Sequence, residues 1–245
     1  MRKFGLIGLP LTHSFSPDYF KTKFESLNVQ DAIYDAYPLP NLNDFKVWFK
    51  AQELLGINVT APYKVDIIPF LDRLDPVAAE VHSVNCIALE NDQLVGYNTD
   101  VEGFARSIVP FVENKFDRAL IIGTGGASKA AAHALQRWGM SVFFLTRTPT
   151  ASNHLSYDAL SDKNIGFFPL IINCSPIGTH PNIQECPDLP YHALTASHFL
   201  YDMVYNPAQS LFLKQGQLRG AHTMNGLKML QIQADLSWDI WNKKK

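Results

Sequence analysis

Cysteine is scarce in this chain, with three in 245 residues at positions 86, 174 and 186. An odd count without a C-x-x-C spacing excludes a disulfide framework and a cysteine zinc cluster as the organising element. No H-E-x-x-H sequence occurs, and the eight histidines are scattered. Basic charge is equally thin. Lys and Arg number 21 against 23 Asp and Glu, a formal net charge of −2, and the one basic block is Lys243 to Lys245 at the end. That balance argues against a nucleic-acid partner, and the terminal lysines read as a solvated tail. Long apolar runs are missing too: nothing approaches the roughly 20 residues of a membrane span. The opening MRKFGLIGLPLTHS breaks its short apolar run with glycine and proline and offers no A-x-A site, so no secretory signal is read there. The expectation is a globular protein of the reducing cytoplasm, without a membrane, nucleic acid or metal.

What is present is a rhythm. Hydrophobic residues make up 47% of the chain, enough for one large core or two modest ones. KFGLIG, AIYDAY and GINVT read as strands, alternating with helical patterns in SPDYFKTKFESLN, NLNDFKVWFKAQ and the stretch after Lys64. Ser16 is expected to cap the first of these helices, with Pro17 at its first position. SVNCIALE and QLVGYN, joined by Asn91-Asp92, read as a hairpin. DVEGFARSIVPFV is an amphipathic helix. Beyond it RALIIGTGGASKAAAHALQRWG reads as an apolar strand, a glycine turn and an alanine-rich helix. SVFFLTRT, PLIINCS and FLYDMVYN follow as buried strands, with no convincing helix between Pro149 and Gly166, and a long final helix from Asn225 to Trp241. The βα alternation predicts an α/β fold in two domains. Residues 1–100 with 224–245 are expected to form one and residues 101–223 the other, with a ligand cleft between them.

GTGGASKA, Gly123 to Ala130, follows a strand and opens a helix, the context a dinucleotide loop requires. Gly123 permits the turn, Gly125 lets backbone approach a pyrophosphate, and the helix start supplies N–H groups. Ser128 stands where a third glycine or alanine is usual, and Gly126 and Ala130 offer small side chains instead. A plain glycine turn is the blander reading of this loop alone. The next strand ends in Thr146-Arg147-Thr148, with no acid to bind ribose hydroxyls. An arginine and hydroxyls there suit a ribose phosphate, so the cofactor expected is NADP rather than NAD.

Four polar clusters close strands in the first half: Ser14 and Ser16; Asn58, Thr60 and Lys64; Ser83 and Asn85; Asn98, Thr99 and Asp100. Such a set, rich in hydroxyls and amides with one cation and one anion, suits a small polyhydroxylated carboxylate. Each residue also has a bland reading as a cap, a turn residue or a surface lysine. Lys64 is the odd member. It is expected at a helix N-terminus, where a cation is disfavoured by roughly 0.3–1 kcal/mol.

SFS, NVTAPYK, SVN, GYNTD, GTGGASKA, TRT, NCSPIG, YNP and NGLKMLQIQA, in that order over nearly the whole chain, resemble the shikimate dehydrogenase family. The resemblance implies an α/β substrate domain and an NADP-binding Rossmann-like domain. It implies Lys64 and Asp100 as the catalytic pair and Ser14 and Ser16 on the substrate carboxylate. Thr60, Asn85 and Gln233 then bind substrate hydroxyls, and Tyr205 and Gly226 lie near the nicotinamide and substrate. Gly123, Gly125, Gly126 and Ala127 hold the pyrophosphate, and Thr146, Arg147 and Thr148 face the adenosine phosphate. The chain departs from the family at Thr146, Thr179 and Ser210, and its stretch after Pro149 is short and lacks a second basic residue. A trimmed cofactor domain with weaker NADP affinity is the expectation.

The implied reaction is reversible reduction of 3-dehydroshikimate to shikimate by NADPH, on the chorismate route to aromatic amino acids, by a monomer or homodimer. Quinate is an alternative substrate. A noncatalytic sensor for NADP or a small acid is a rival, one that need not keep both Lys64 and Asp100. A methylene-tetrahydrofolate-type dehydrogenase is another, but it wants a more apolar pocket.

Overall fold

The computed structural model describes residues 1–11, 14–112 and 115–243. The last two lysines of the expected solvated tail lie outside the described residues. The chain divides into two compact units, Met1–Gly103 with Leu230–Lys245, and Phe104–Met229.

In the first unit, β1 (Arg2–Gly8), α1 (Phe15–Ser26), β2 (Ala32–Pro38), α2 (Phe45–Ala51) and β3 (Leu54–Val59) follow in turn. Then come β4 (Arg73–Leu74), α3 (Pro76–Val81), β5 (Cys86–Glu90) and β6 (Gln93–Tyr97). The sheet order is β2-β1-β3-β5-β6-β4. β1 runs parallel to β2 and β3, whereas β5 is antiparallel to both β3 and β6. The hairpin turns at Asn91 and Asp92, with φ of 49° and 63°, the paired positive values of a tight two-residue loop. Both faces of the sheet are covered. Phe4 and Leu6 pack with Phe20, Phe24 and Trp238, while Ile7, Ile57 and Val59 pack with Phe45 and Phe49.

The second unit contains β7 (Arg118–Ile122), α5 (Gly126–Arg137), β8 (Ser141–Leu145), β9 (His154–Leu155), β10 (Leu170–Asn173), β11 (Phe199–Asp202), α6 (Leu211–Leu218) and β12 (His222–Asn225). Its six strands are all parallel in the order β12-β11-β10-β7-β8-β9. Read from β9, this is the 3-2-1-4-5-6 order of a doubly wound dinucleotide-binding sheet. α4 (Asp100–Val112) and α7 (Leu227–Trp241) each contain a unit boundary. Residues 101–103 and 224–229 therefore fall on the other side of the division from the boundaries expected at Asp100 and Met224. The physical reason at the second is that Met224 and Asn225, in β12, pair with Tyr201 and Asp202 of β11.

Two local expectations are corrected. No helix starts at Lys64. Residues 61–67 form successive turns, followed by a single 3-10 turn at Ile68–Phe70. Pro69 cannot donate a helical hydrogen bond, and the Lys64 carbonyl accepts from the Val84 N–H at 2.7 Å. The N-cap of α1 is Ser14 rather than Ser16. Pro17 is tolerated inside the first turn because N–H groups there have no helical partner in any case.

Candidate functional site

The polar clusters of the first unit gather at one edge because of strand direction. β1 and β3 are parallel, so both end there and lead into residues 9–11 and 60–64, with α1 opening at Ser14. The antiparallel pairing of Asn58 with Cys86, and of Cys86 with Tyr97, brings the start of β5 and the end of β6 to the same edge. Asn85, Thr99 and Asp100 are thereby delivered beside Thr60 and Lys64. Gly8 is needed for the approach, since a Cβ there would lie 2.4 Å from Thr60 Cγ2.

Lys64 Nζ donates to Asp100 Oδ2 at 2.7 Å, with the lysine side chain 21% exposed and the aspartate 6%. Asn85 orients the pair. Its Oδ1 accepts the Thr99 N–H at 2.7 Å, so its Nδ2 must face the other way, toward Asp100 Oδ1 at 2.9 Å and Thr99 Oγ1 at 2.9 Å. The same Nδ2 reaches Gln233 Oε1 on α7 at 3.3 Å. Ser14 and Ser16 occupy the N-terminus of α1, and the Ser14 side chain makes no capping bond. Two hydroxyls at the positive end of a helix make a receptor for a carboxylate.

Beneath these residues lies a buried support that the sequence reasoning left without a role. Asn58, in β3, accepts from the Tyr34 hydroxyl at 2.8 Å and donates to the Asn85 carbonyl at 3.1 Å and to Ser237 Oγ at 2.8 Å. Ser16 faces the Tyr34 hydroxyl from the other side, and burial drives that phenol's pKa well above its ordinary value. Ser237 was detectable: it stands four residues after Gln233 and so shares its helix face. Tyr34 and Asn58 are 24 residues apart and no spacing rule connects them.

In the second unit Gly123 turns with φ of +99°, a conformation open to glycine, and a Cβ would sit 3.5 Å from Ser128 Oγ. The space over Gly125 is open to 4 Å, and Gly125 caps α5 with no side-chain hydrogen bond. A side chain at Gly125 would fill that cradle, and the first-turn N–H groups of Gly126, Ala127 and Ser128 have no side-chain cap. Cys174 N–H bonds to the Ile122 carbonyl, so the loop lies between β7 and β10, where the strand order reverses. This is the position and shape a pyrophosphate needs. At the end of β8, Arg147 and Thr148 are exposed, and Thr146 Oγ1 accepts the Thr148 N–H at 3.4 Å, leaving its own proton to donate. These residues fit NADP. Tyr205 lies just after β11, and Gly226 packs against the Met203 carbonyl, 2.4 Å from where a Cβ would stand. Ser14, Ser16, Thr60, Lys64, Asn85, Asp100 and Gln233 thus belong to one unit, and the glycine cradle, residues 146–148, Tyr205 and Gly226 to the other.

Fold and site together define a two-unit α/β protein: one unit gathers a lysine–aspartate pair with hydroxyls and amides, and the other has the topology of a dinucleotide-binding domain. Comparison with known proteins narrows this class. Residues 6–87 match the family described as shikimate dehydrogenase substrate binding domain. The chain is 34% identical to the shikimate dehydrogenase (NADP(+)) of Desulforamulus reducens, over 97% of this chain and 88% of that protein. It superposes on the crystal structure of shikimate dehydrogenase from Aquifex aeolicus with a TM-score of 0.90 and 31% identity, covering 100% and 93% of the two chains. It superposes on shikimate 5-dehydrogenase from Thermus thermophilus, in complex with NADP(H) and shikimate, with a TM-score of 0.87 and 27% identity, covering 100% and 94%. The chain belongs to the shikimate dehydrogenase family.

Proposed function

We propose that this chain catalyses the reversible NADPH-dependent reduction of 3-dehydroshikimate to shikimate, an oxidoreductase step acting on a CH–OH group in the chorismate route to aromatic amino acids. The observation that carries the reading is the ion pair of Lys64 and Asp100 at 2.7 Å, held in orientation by Asn85. Ketone reduction requires a hydride on carbon and a proton on oxygen. NADPH, when bound, supplies the hydride.

The residues of the chain do the rest. Lys64 polarises the carbonyl oxygen and hands it a proton. Asp100 fixes the ammonium in place. Ser14 and Ser16 take the substrate carboxylate at the start of α1. Thr60, Asn85 and Gln233 take the ring hydroxyls. Asn85 Nδ2 has two hydrogens for three acceptors, and the longest of those contacts, to Gln233 at 3.3 Å, is the one a substrate hydroxyl replaces. The pyrophosphate rests on Gly123, Gly125, Gly126 and Ala127, and the 2′-phosphate on Arg147 with Thr146 and Thr148. Tyr205 and Gly226 would lie near the nicotinamide. The protein works in the cytoplasm as a monomer or homodimer. Among the described residues no helix is long and apolar enough to cross a membrane.

The test is absorbance at the NADPH band on mixing the protein with NADP and shikimate, then with quinate, then with NAD in place of NADP. A rise with shikimate and NADP is expected. A rise with quinate alone would reassign the substrate, and no rise with either acid would return the chain to a binding role. Sedimentation equilibrium decides between monomer and dimer.

A further inference from the structure

Asp202 ends β11 fully buried, and nothing in the proposed chemistry uses it. Its carboxylate is nevertheless the meeting point of three chain segments. Oδ1 accepts from Asn173 Nδ2, the last residue of β10, at 2.9 Å, and from the Val204 N–H at 3.0 Å. Oδ2 accepts from the Ser210 hydroxyl, whose oxygen in turn caps α6. Asn173 passes the constraint on: its Oδ1 accepts from the Ser175 N–H and hydroxyl at 3.0 and 2.6 Å, and its Nδ2 also reaches the Ile177 carbonyl at 3.3 Å.

The segment after Asp202 is gripped from its other sides too. The Asn206 carbonyl accepts from the His180 N–H and Thr179 Oγ1, both at 3.4 Å, and the Gly226 N–H reaches the Val204 carbonyl at 3.5 Å. All of this lies at the carboxyl edge of β10, β11 and β12. That is the half of a doubly wound sheet opposite the adenosine half, which here carries Arg147 after β8.

We propose that Asp202 is a positioning residue for the nicotinamide half of the cofactor site: its carboxylate locks residues 203–206, which include Tyr205, to the 173–177 loop and to the start of α6. It touches neither cofactor nor substrate. The loops on either side are polar backbone at a sheet edge, and an ionised carboxylate that accepts three bonds at once is a compact way to fix them. This inference rests on the reading of the second unit as the NADP-binding unit.

The experiment compares wild type, Asp202→Asn and Ser210→Ala by calorimetric titration with two probes: NADP, and adenosine 2′,5′-bisphosphate, which lacks the nicotinamide. Hydrogen exchange of the unliganded proteins over residues 203–210 is measured alongside. For both variants NADP affinity is expected to drop roughly tenfold, the scale of one hydrogen bond to a charged group. Affinity for the bisphosphate should stay within twofold, and the 203–206 amides should exchange faster. Ser210→Thr, which keeps the hydroxyl, should behave as wild type. Equal losses for both probes, or unchanged NADP affinity in both variants, would overturn the assignment. If Asp202→Asn does not fold, Ser210→Ala against Ser210→Thr decides it alone. A wild type that binds the bisphosphate but not NADP would also overturn it, whereas one that binds neither probe would remove the NADP reading itself.

Discussion

Asn85 has two amide hydrogens and stands between three acceptors, and its carbonyl oxygen is fixed by the Thr99 N–H. The amide therefore cannot flip, and Asp100 always meets a donor on one oxygen and the Lys64 ammonium on the other. This makes the roles of the pair separable by mutation. Lys64→Ala removes the proposed proton donor but leaves Ser14, Ser16, Asn85 and Gln233, the proposed substrate contacts. Turnover is expected to fall by about 10²–10⁴, the range for one general acid or base, with KM for shikimate changed only a few-fold. Steady-state kinetics at saturating NADP measures both, and turnover near wild type would remove Lys64 from the chemistry. Ser16→Ala should do the reverse. On the proposed reading it removes a contact to the substrate carboxylate remote from the reacting carbon, so KM is expected to rise by roughly tenfold, one hydrogen bond to an ion, while turnover changes less.

At the scale of elements, α7 is the piece that completes the site, since it carries Gln233 and Ser237. Trp241 pins its far end: the indole Nε1 donates to the Ile87 carbonyl at 3.0 Å, and its ring stacks on Phe4 at 4.9 Å between centroids. The fit is close enough that a Cβ on Gly56 would lie 2.2 Å from that nitrogen. Trp241→Ala is expected to cost about 3–5 kcal/mol, read as a lower midpoint in urea, and Gly56→Ala should also destabilise. Unchanged midpoints would mean that α7 is held elsewhere. The strand–turn–helix at Gly123, the hairpin at Asn91-Asp92 and α7 itself could be read from the sequence because each is specified by neighbours in the chain. α6 escaped notice because Gly216 interrupts its pattern, and that glycine is there to let the helix close on Leu200, 2.5 Å from a would-be Cβ. The supposed helix at Lys64 failed for the same kind of reason, a long-range bond from Val84 overriding a local pattern. Motif resemblance proposed the site residues and paired Lys64 with Asp100, but it offered no partner for Asn85 or Asn58. Asn85 and Gln233 are 148 positions apart, and only the fold makes them neighbours.

At the scale of the whole molecule, stability and function make opposite demands on Asp202. Burial raises its carboxyl pKa to about 6 from an ordinary 3.8, against the lowering effect of Ser210, Val204 and Asn173. Between about pH 4 and 6 the folded protein therefore keeps a proton that the unfolded chain has released. Stability attributable to this group falls as pH rises through that window and is level above it. A displacement of this size corresponds to roughly 3 kcal/mol at neutral pH. The phenols of Tyr191 and Tyr201 sense the charge but are themselves pushed above their usual range, mainly by burial, and do not titrate there. The salt-bridged carboxylates Asp31, Glu53 and Asp72 are held below their usual values by Arg2, Lys3 and Lys46, and their contribution is lost only as pH falls further. Comparing Asp202→Asn with wild type cancels those background terms. The difference in unfolding free energy, variant minus wild type, is expected to grow in the variant's favour from pH 4 to pH 6 and then to hold constant. Urea midpoints at pH 4.5, 5.5, 6.5 and 7.5 measure it, and a flat difference would mean the carboxylate ionises as an ordinary one. A variant that gains relative stability toward neutral pH while losing NADP but not the bisphosphate would mark Asp202 as a charge kept for the site at the expense of the fold.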